Sequence, residues 1–150
     1  MIITASKLNK FLMMKLPAAW MCGVRVKQMD ENGCTTAVRY RWINQNPFGS
    51  MFWAVQGMAA ELATGALVMG KIKSSGKRIS MLVANNKASF SKKAKGRIIF
   101  SCQEGGKIDY AIARTIETGE GQTFWMQARG VDEAGDTVSV FDFEWTIKLK

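Results

Sequence analysis

The segment from Asn46 to Gly70, NPFGSMFWAVQGMAAELATGALVMG, constrains the fold more than any other part of the chain. From Ser50 to Gly70 it carries a single charged residue, Glu61. Pro47 and Gly49 disfavour helix before Ser50, Ser50 is a capping residue, and Gly70 is a natural stop, so the pattern predicts a helix over residues 50–70. A helix this apolar either spans a bilayer or fills the middle of a sheet. A glutamate at mid-membrane costs about 3 kcal/mol, and Gln56 adds to the penalty. The amphipathic strands on either side also need a core-filling partner, so a buried helix is preferred and no membrane is expected. Gly57, Ala60, Thr64 and Gly65 are small and recur at helical steps, which permits close packing against a sheet or a second copy of the helix.

Burying Glu61 is costly unless its carboxylate is paired, hydrogen-bonded or protonated. One reading pairs it with one of the many Lys or Arg residues, or leaves it on a narrow wet stripe with Thr64. The other makes it an acid–base group tuned by burial. Gln56 has the same two faces: its amide either orients a water or a carbonyl, or bonds backbone.

The rest of the chain supplies a sheet. Leu8, Phe11 and Leu12 share one face of a helix that Thr4 or Ser6 can cap and Pro17 breaks, giving an N-terminal helical segment over residues 1–22. Val24 and Val26, then Val38, Tyr40 and Trp42, alternate with charged residues on either side of the turn signal DENG, Asp30 to Gly33. A strand is expected over Ile79–Lys92, another through Ile98, Phe100 and Cys102, and a minor helix between Lys107 and Thr118. Phe124–Val131 and Val138–Ile147 form a last hairpin around DEAGD, with a bulge where the apolar phase slips. The order is helix, two strands, long helix, two strands, minor helix, two strands. It describes an α+β domain over residues 1–150, built around an antiparallel sheet.

Composition narrows the chemistry. There is no histidine, which removes Ser-His-Asp and Cys-His catalysis. The three cysteines, Cys22, Cys34 and Cys102, are odd in number and widely spaced, so neither a disulfide framework nor a metal site is expected. Lys10 and Lys15 interrupt the apolar N-terminus, so no signal peptide is expected and a reducing cytoplasm is the expected location. A net charge of +9 favours anionic ligands. The basic residues are spread over several strands without a nucleic-acid motif, so nucleic acid is not the expected partner.

A long helix entered through NPFGSMF and a strand ending ASFSKKAKGR resemble the hotdog-fold acyl-thioester hydrolases. NPFGSMFWAVQGMAAELATG with ARGVDEAGDTVSVFDFEWTIK is more closely similar to the domain of unknown function 4442 branch of the phenylacetate-pathway-like thioesterase superfamily. The resemblance implies a six-stranded antiparallel sheet wrapped around one long central helix. It also implies a homodimer joined through its sheets, with a dimer of dimers left open, and an acyl-CoA or acyl carrier thioester as ligand. No cofactor and no metal are implied. In these thioesterases the helix is entered through Asn, a spacer and His-Gly-Gly; here Asn46 and Gly49 match, Phe48 replaces the histidine and Ser50 the second glycine. The family's carboxylate would fall near Gly57 or Met58, and Glu61 lies about one turn farther along.

Two functions follow. In the first, the chain hydrolyses acyl thioesters: Glu61 activates a water, Gln56 or Asn46 orients it, and amides of Gly49, Ser50 and Met51 hold the developing oxyanion. In the second, the same pocket binds acyl-CoA or an acyl chain without cleaving it. In both, Lys92, Lys93, Lys95 and Arg97 meet the CoA phosphates.

Overall fold

The computed structural model describes residues 3–150. The first helix, α1 (Ala5–Lys15), is capped by Thr4, whose hydroxyl accepts from the Lys7 amide at 3.3 Å. It buries Leu8 and Leu12. A short helix, α2 (Pro17–Met21), follows with proline in its first turn, where the missing N–H costs nothing. Strands β1 (Arg25–Met29) and β2 (Cys34–Arg39) form a hairpin whose turn is tied by the Asp30 carboxylate, which accepts from the amides of Asn32 and Gly33.

The central helix α3 (Trp53–Ser75) is followed by β3 (Ile79–Phe90), β4 (Arg97–Cys102), α4 (Gly105–Thr118), β5 (Gln122–Val131) and β6 (Thr137–Leu149). The six strands form one sheet in the order β1-β2-β4-β5-β6-β3, with every neighbouring pair antiparallel. This is the α+β hotdog arrangement expected from the sequence, with an added N-terminal helix. Twelve α3 residues are buried, among them Ala59, Ala60, Ala63 and Ala66, and small side chains bring the helix backbone close to the sheet. Three side-chain hydrogen bonds stitch helix to sheet: the Thr36 hydroxyl donates to the Ala59 carbonyl at 2.7 Å, the Trp145 indole donates to Thr64 Oγ1 at 2.9 Å, and the Ser139 hydroxyl donates to Gln56 Oε1 at 2.8 Å.

The boundaries of α3 differ from those expected. The helix starts at Trp53 and not at Ser50, because Ser50 is held in the preceding turn; Phe52 stands at the N-cap with no side-chain cap. It also passes through Gly70 and ends at Gly76, the residue with a left-handed φ of +69°. Gly70 is small for a packing reason: a Cβ there would lie 2.6 Å from the terminal methyl of Met29. Among the described residues no helix is long and apolar enough to cross a membrane.

The bulge expected in the last strand is at Val138. Gly130 faces Ser139 while Val131 faces Thr137, so Val138 is the extra residue, and both Val138 and Ser139 turn inward. Cys34 and Cys102 face each other across β2 and β4, both buried and unbridged. Strand β3 pairs with β6 on one side and ends the sheet on the other.

Candidate functional site

The loop into α3 is a tight, self-satisfied turn. Asn46 Oδ1 accepts from the amides of Phe48 (2.9 Å) and Ser50 (3.2 Å), and its Nδ2 donates to Ser50 Oγ (3.0 Å) and the Met51 carbonyl (3.2 Å). Gly49 adopts φ +73°, which an L side chain would resist, and lets its amide reach the Asn46 carbonyl at 3.4 Å. The Met51 amide donates to the Ala94 carbonyl at 2.9 Å, pinning this loop to the chain before β4. The amides of Gly49, Ser50 and Met51 are therefore spent inside the protein, contrary to the sequence expectation that they stand free. Asn46 is likewise engaged as the organiser of the turn. Just beyond this turn, the amides of Trp53 and Ala54, the first two of α3, have no partner among the described residues. The sequence reading missed them because it began the helix three residues early.

That helix start opens on a cleft of about 650 Å³. Its walls are the 46–53 loop, Gln56, and the chain from Phe90 to Ala94, so β3 and α3 each give one side. Phe48, Phe52, Trp53 and Phe90 give it an apolar lining and leave large exposed aromatic surface at its mouth. Gln56 is 4% exposed; its Oε1 accepts from Ser139 Oγ at 2.8 Å, and its Nε2 donates weakly to the Met51 carbonyl at 3.4 Å. The bulge at Val138 is what turns Ser139 inward to make this bond.

Glu61 does not share that cleft. It lies five positions after Gln56, which places the two side chains about 140° apart around the helix. Glu61 instead lies between two apolar concavities beneath α1 and α2. One, of about 120 Å³, is lined by Leu8, Phe11, Met69 and Met81 among others; the second, of about 250 Å³, by Leu12, Pro17 and Met58 among others. No ion pair or hydrogen bond reaches its carboxyl among the described residues, and burial pushes its pKa above the ordinary carboxylate range. The paired-carboxylate reading is thus not the one the fold adopts.

The basic cluster is divided. Lys92 is clamped by Asp132 at 2.6 Å and Asp136 at 2.8 Å, and the Lys92 ammonium holds the Asp132 carboxyl below its usual range. Lys93 stands at the cleft lip and donates to the Phe48 carbonyl at 3.2 Å. Lys95 is exposed beside it, whereas Arg97 belongs to a different concavity, one it shares with Arg25, Lys27 and Arg39. The acidic character of the DEAGD loop was visible in the sequence, but its docking onto Lys92 joins residues 40 and 44 positions apart.

Comparison with known proteins gives a consistent picture of the fold. A Pseudomonas aeruginosa protein of unknown function, described as a probable thioesterase, superposes with a TM-score of 0.84 at 20% identity, covering 99% of both chains. A Chlorobaculum tepidum protein of unknown function superposes at 0.82 with 15% identity, over 98% of each chain. A mutant of another Pseudomonas aeruginosa protein, a thioesterase, superposes at 0.74 with 12% identity, over 100% of this chain and 97% of that one. No curated protein matches the chain. The model of the domain of unknown function DUF4442 matches residues 4–147, nearly the whole length, and the chain belongs to that family.

Proposed function

We propose that the protein hydrolyses acyl thioesters, with Glu61 as the general base. The observation that carries this reading is the isolation of Glu61: a half-buried carboxyl without a partner among the described residues, its pKa raised, facing apolar concavities that suit an acyl chain. A carboxylate tuned upward accepts a proton from water more readily than an ordinary one, which is the property a base working near neutral pH needs. The amides of Trp53 and Ala54, at the positive end of α3, are suited to polarise a thioester carbonyl and hold its oxyanion. Gln56, fixed by Ser139, keeps one N–H near the cleft to steer that carbonyl.

Base and amides lie on different faces of one α3, and the sheet supplies a way to join them. Met81, near the start of β3, lines the Glu61 concavity, and Phe90, at the end of β3, lines the amide cleft. Pairing of the open β3 edges across a two-fold axis runs the strands antiparallel, so the Phe90 end of one copy meets the Met81 end of the other. We therefore propose a homodimer in which the amide cleft of one protomer works with Glu61 of its partner. Lys93 at the cleft lip and the exposed Lys95 near it would meet the phosphates of a CoA carrier. Free thiols throughout suit a reducing cytoplasm.

The test is a panel of acyl-CoA thioesters assayed for thiol release with wild type and Glu61→Ala. Loss of roughly 100-fold or more in kcat is expected for the variant. Equal rates would remove Glu61 from the chemistry. Saturable acyl-CoA binding with no thiol release by wild type would favour the non-hydrolytic reading of the same cleft, which the replacement of the family histidine by Phe48 supports.

A further inference from the structure

Four cations from three strands rim a shallow concavity of about 220 Å³ on the face of the sheet turned away from α3. Arg25 and Lys27 come from β1, Arg39 from β2 and Arg97 from β4, and the short side chain of Ala37 forms the floor. Thr36 points to the helix, so Ala37 opposes it and faces outward. Strand register puts Arg39 directly opposite Arg97, and Arg25 directly opposite Ala37. Like charges facing each other across neighbouring strands destabilise a sheet, so folding alone does not account for them.

The set is also pre-organised. Arg25 lies 3.3 Å from the centre of the Trp20 ring and donates to the carbonyls of Trp20 and Val24. Arg41 sets its guanidinium against Gly23, where φ is +93°, and adds a fifth positive charge. Burial and the nearby Arg41 both lower the pKa of Arg25. The acidic group that answers this set among the described residues is Glu133, which accepts from the Arg97 amide at 2.8 Å and lies 3.6 Å from Arg39 Nη1.

The patch adjoins the proposed thioester cleft. Lys93 is at the cleft lip and Arg97 is in the patch, so at most about 14 Å of extended chain separates them. We propose that this outer face docks an acidic helix of a carrier protein, which delivers its acyl group into the cleft on a flexible phosphopantetheine arm. The inference rests on the thioester reading and names the form in which the substrate arrives. Neighbouring strands are about 4.8 Å apart and alternate residues on a strand about 6.7 Å, which brackets the 5–6 Å between side chains three or four apart on a helix. Acidic side chains on one helical face therefore meet the arginines in register. Nucleic acid fits less well, because the adjacent aromatic, Trp20, already has a face covered by Arg25 and none of the lining residues is free to stack on a base. Free CoA carries its diphosphate and 3′-phosphate on a single ribose, a short span that the proposed contacts with Lys93 and Lys95 would serve without this patch.

Docking is read by titrating a purified bacterial acyl carrier protein, with and without its acylated arm, against wild type, Lys27→Glu/Arg39→Glu and Lys27→Arg/Arg39→Lys. Wild type should bind at low ionic strength and weaken at least tenfold as salt is raised through roughly 0.3 M. The charge-reversed variant should lose at least tenfold in affinity, the charge-conserving variant should retain binding, and both should turn over a short acyl-CoA within about twofold of wild type. Absence of carrier binding at low salt, or equal binding by the charge-reversed variant, would overturn the proposal, as would a short RNA duplex binding where the carrier does not. Carrier affinity reports docking and thiol release reports the chemistry, so a failure of hydrolysis is told apart from a failure of docking.

Discussion

Ser139 donates a 2.8 Å hydrogen bond to Gln56 across the interior of the molecule, joining the bulge of β6 to the first turns of α3. Both residues are buried, and neither has water to fall back on. Replacing Ser139 by Ala leaves the Gln56 carbonyl oxygen unpaired in the core, so stability should fall by about 1–3 kcal/mol in chemical denaturation. The freed amide should also raise the KM for thioesters, whereas a role confined to packing would leave kinetics unmoved.

Glu61 gives the molecule a pH dependence of definite sign. Burial raises its folded pKa, so between the ordinary carboxylate range and that raised value the folded state holds a proton that the unfolded chain has released. Its contribution is fully present at low pH and is lost as pH rises through the folded pKa, above which the half-buried carboxylate carries an unpaired charge. Glu61→Gln should flatten this part of the stability profile and be the more stable protein above it. In wild type, kcat/KM should rise with pH through the same window, because the base works ionised; an identical stability slope in the variant would show that another group titrates there.

Two adjacent lysines should behave differently. Lys93 is free of carboxylates at the cleft lip, and Lys92 is neutralised by Asp132 and Asp136. Lys93→Ala should raise KM for acyl-CoA several-fold with kcat nearly unchanged, as expected for a contact made equally in ground and transition states. Lys92→Ala should leave KM within about twofold of wild type. Steady-state kinetics on the two variants, each at two salt concentrations, decides the matter.

Proline is tolerated in the first turn of a helix because the N–H it removes has no helical partner. Ala54→Pro should therefore keep α3 intact while deleting one of the two free amides, with a loss in kcat of about 100-fold. Mixing it with Glu61→Ala should restore activity, since a mixed dimer pairs the intact amides of one copy with the intact carboxylate of the other. With random exchange roughly a quarter of the wild-type sites return. No recovery from fully exchanged dimers would mean that the site is complete within one chain.

Local signals were legible in the sequence and long-range ones were not. The alternation of Phe141, Phe143, Trp145 and Ile147 marked a strand with one buried face, and the slip of the apolar phase from Val138 and Val140 to Phe141 marked a bulge, which the pairing puts at Val138. Glu61 stood out because a lone charge in an apolar helix is a local anomaly. The start of α3 was misplaced because Ser50 looks like a cap in isolation, while in the fold Asn46 captures its hydroxyl and amide. Gly70 looks like a stop in isolation and is a packing glycine against Met29. The separation of Glu61 from the amide cleft and the opposition of Arg39 to Arg97 depend on helix rotation and on a strand pairing that spans the whole of α3. Residue spacing gives the angle between Gln56 and Glu61 once α3 is a helix, but which face of α3 meets the cleft and which strands pair are set by the fold.

The facing cysteines of β2 and β4 have a practical outcome for any such measurement. Burial lifts the Cys34 thiol to about 12 and the Cys102 thiol to about 11, and each is 1% exposed. At neutral pH almost no thiolate is present on either, so colorimetric reagents that trap newly released CoA will not titrate them in the native protein. The background of a thiol assay is then at most one equivalent per chain, from Cys22, and a slow release can be read against it without alkylating the protein first.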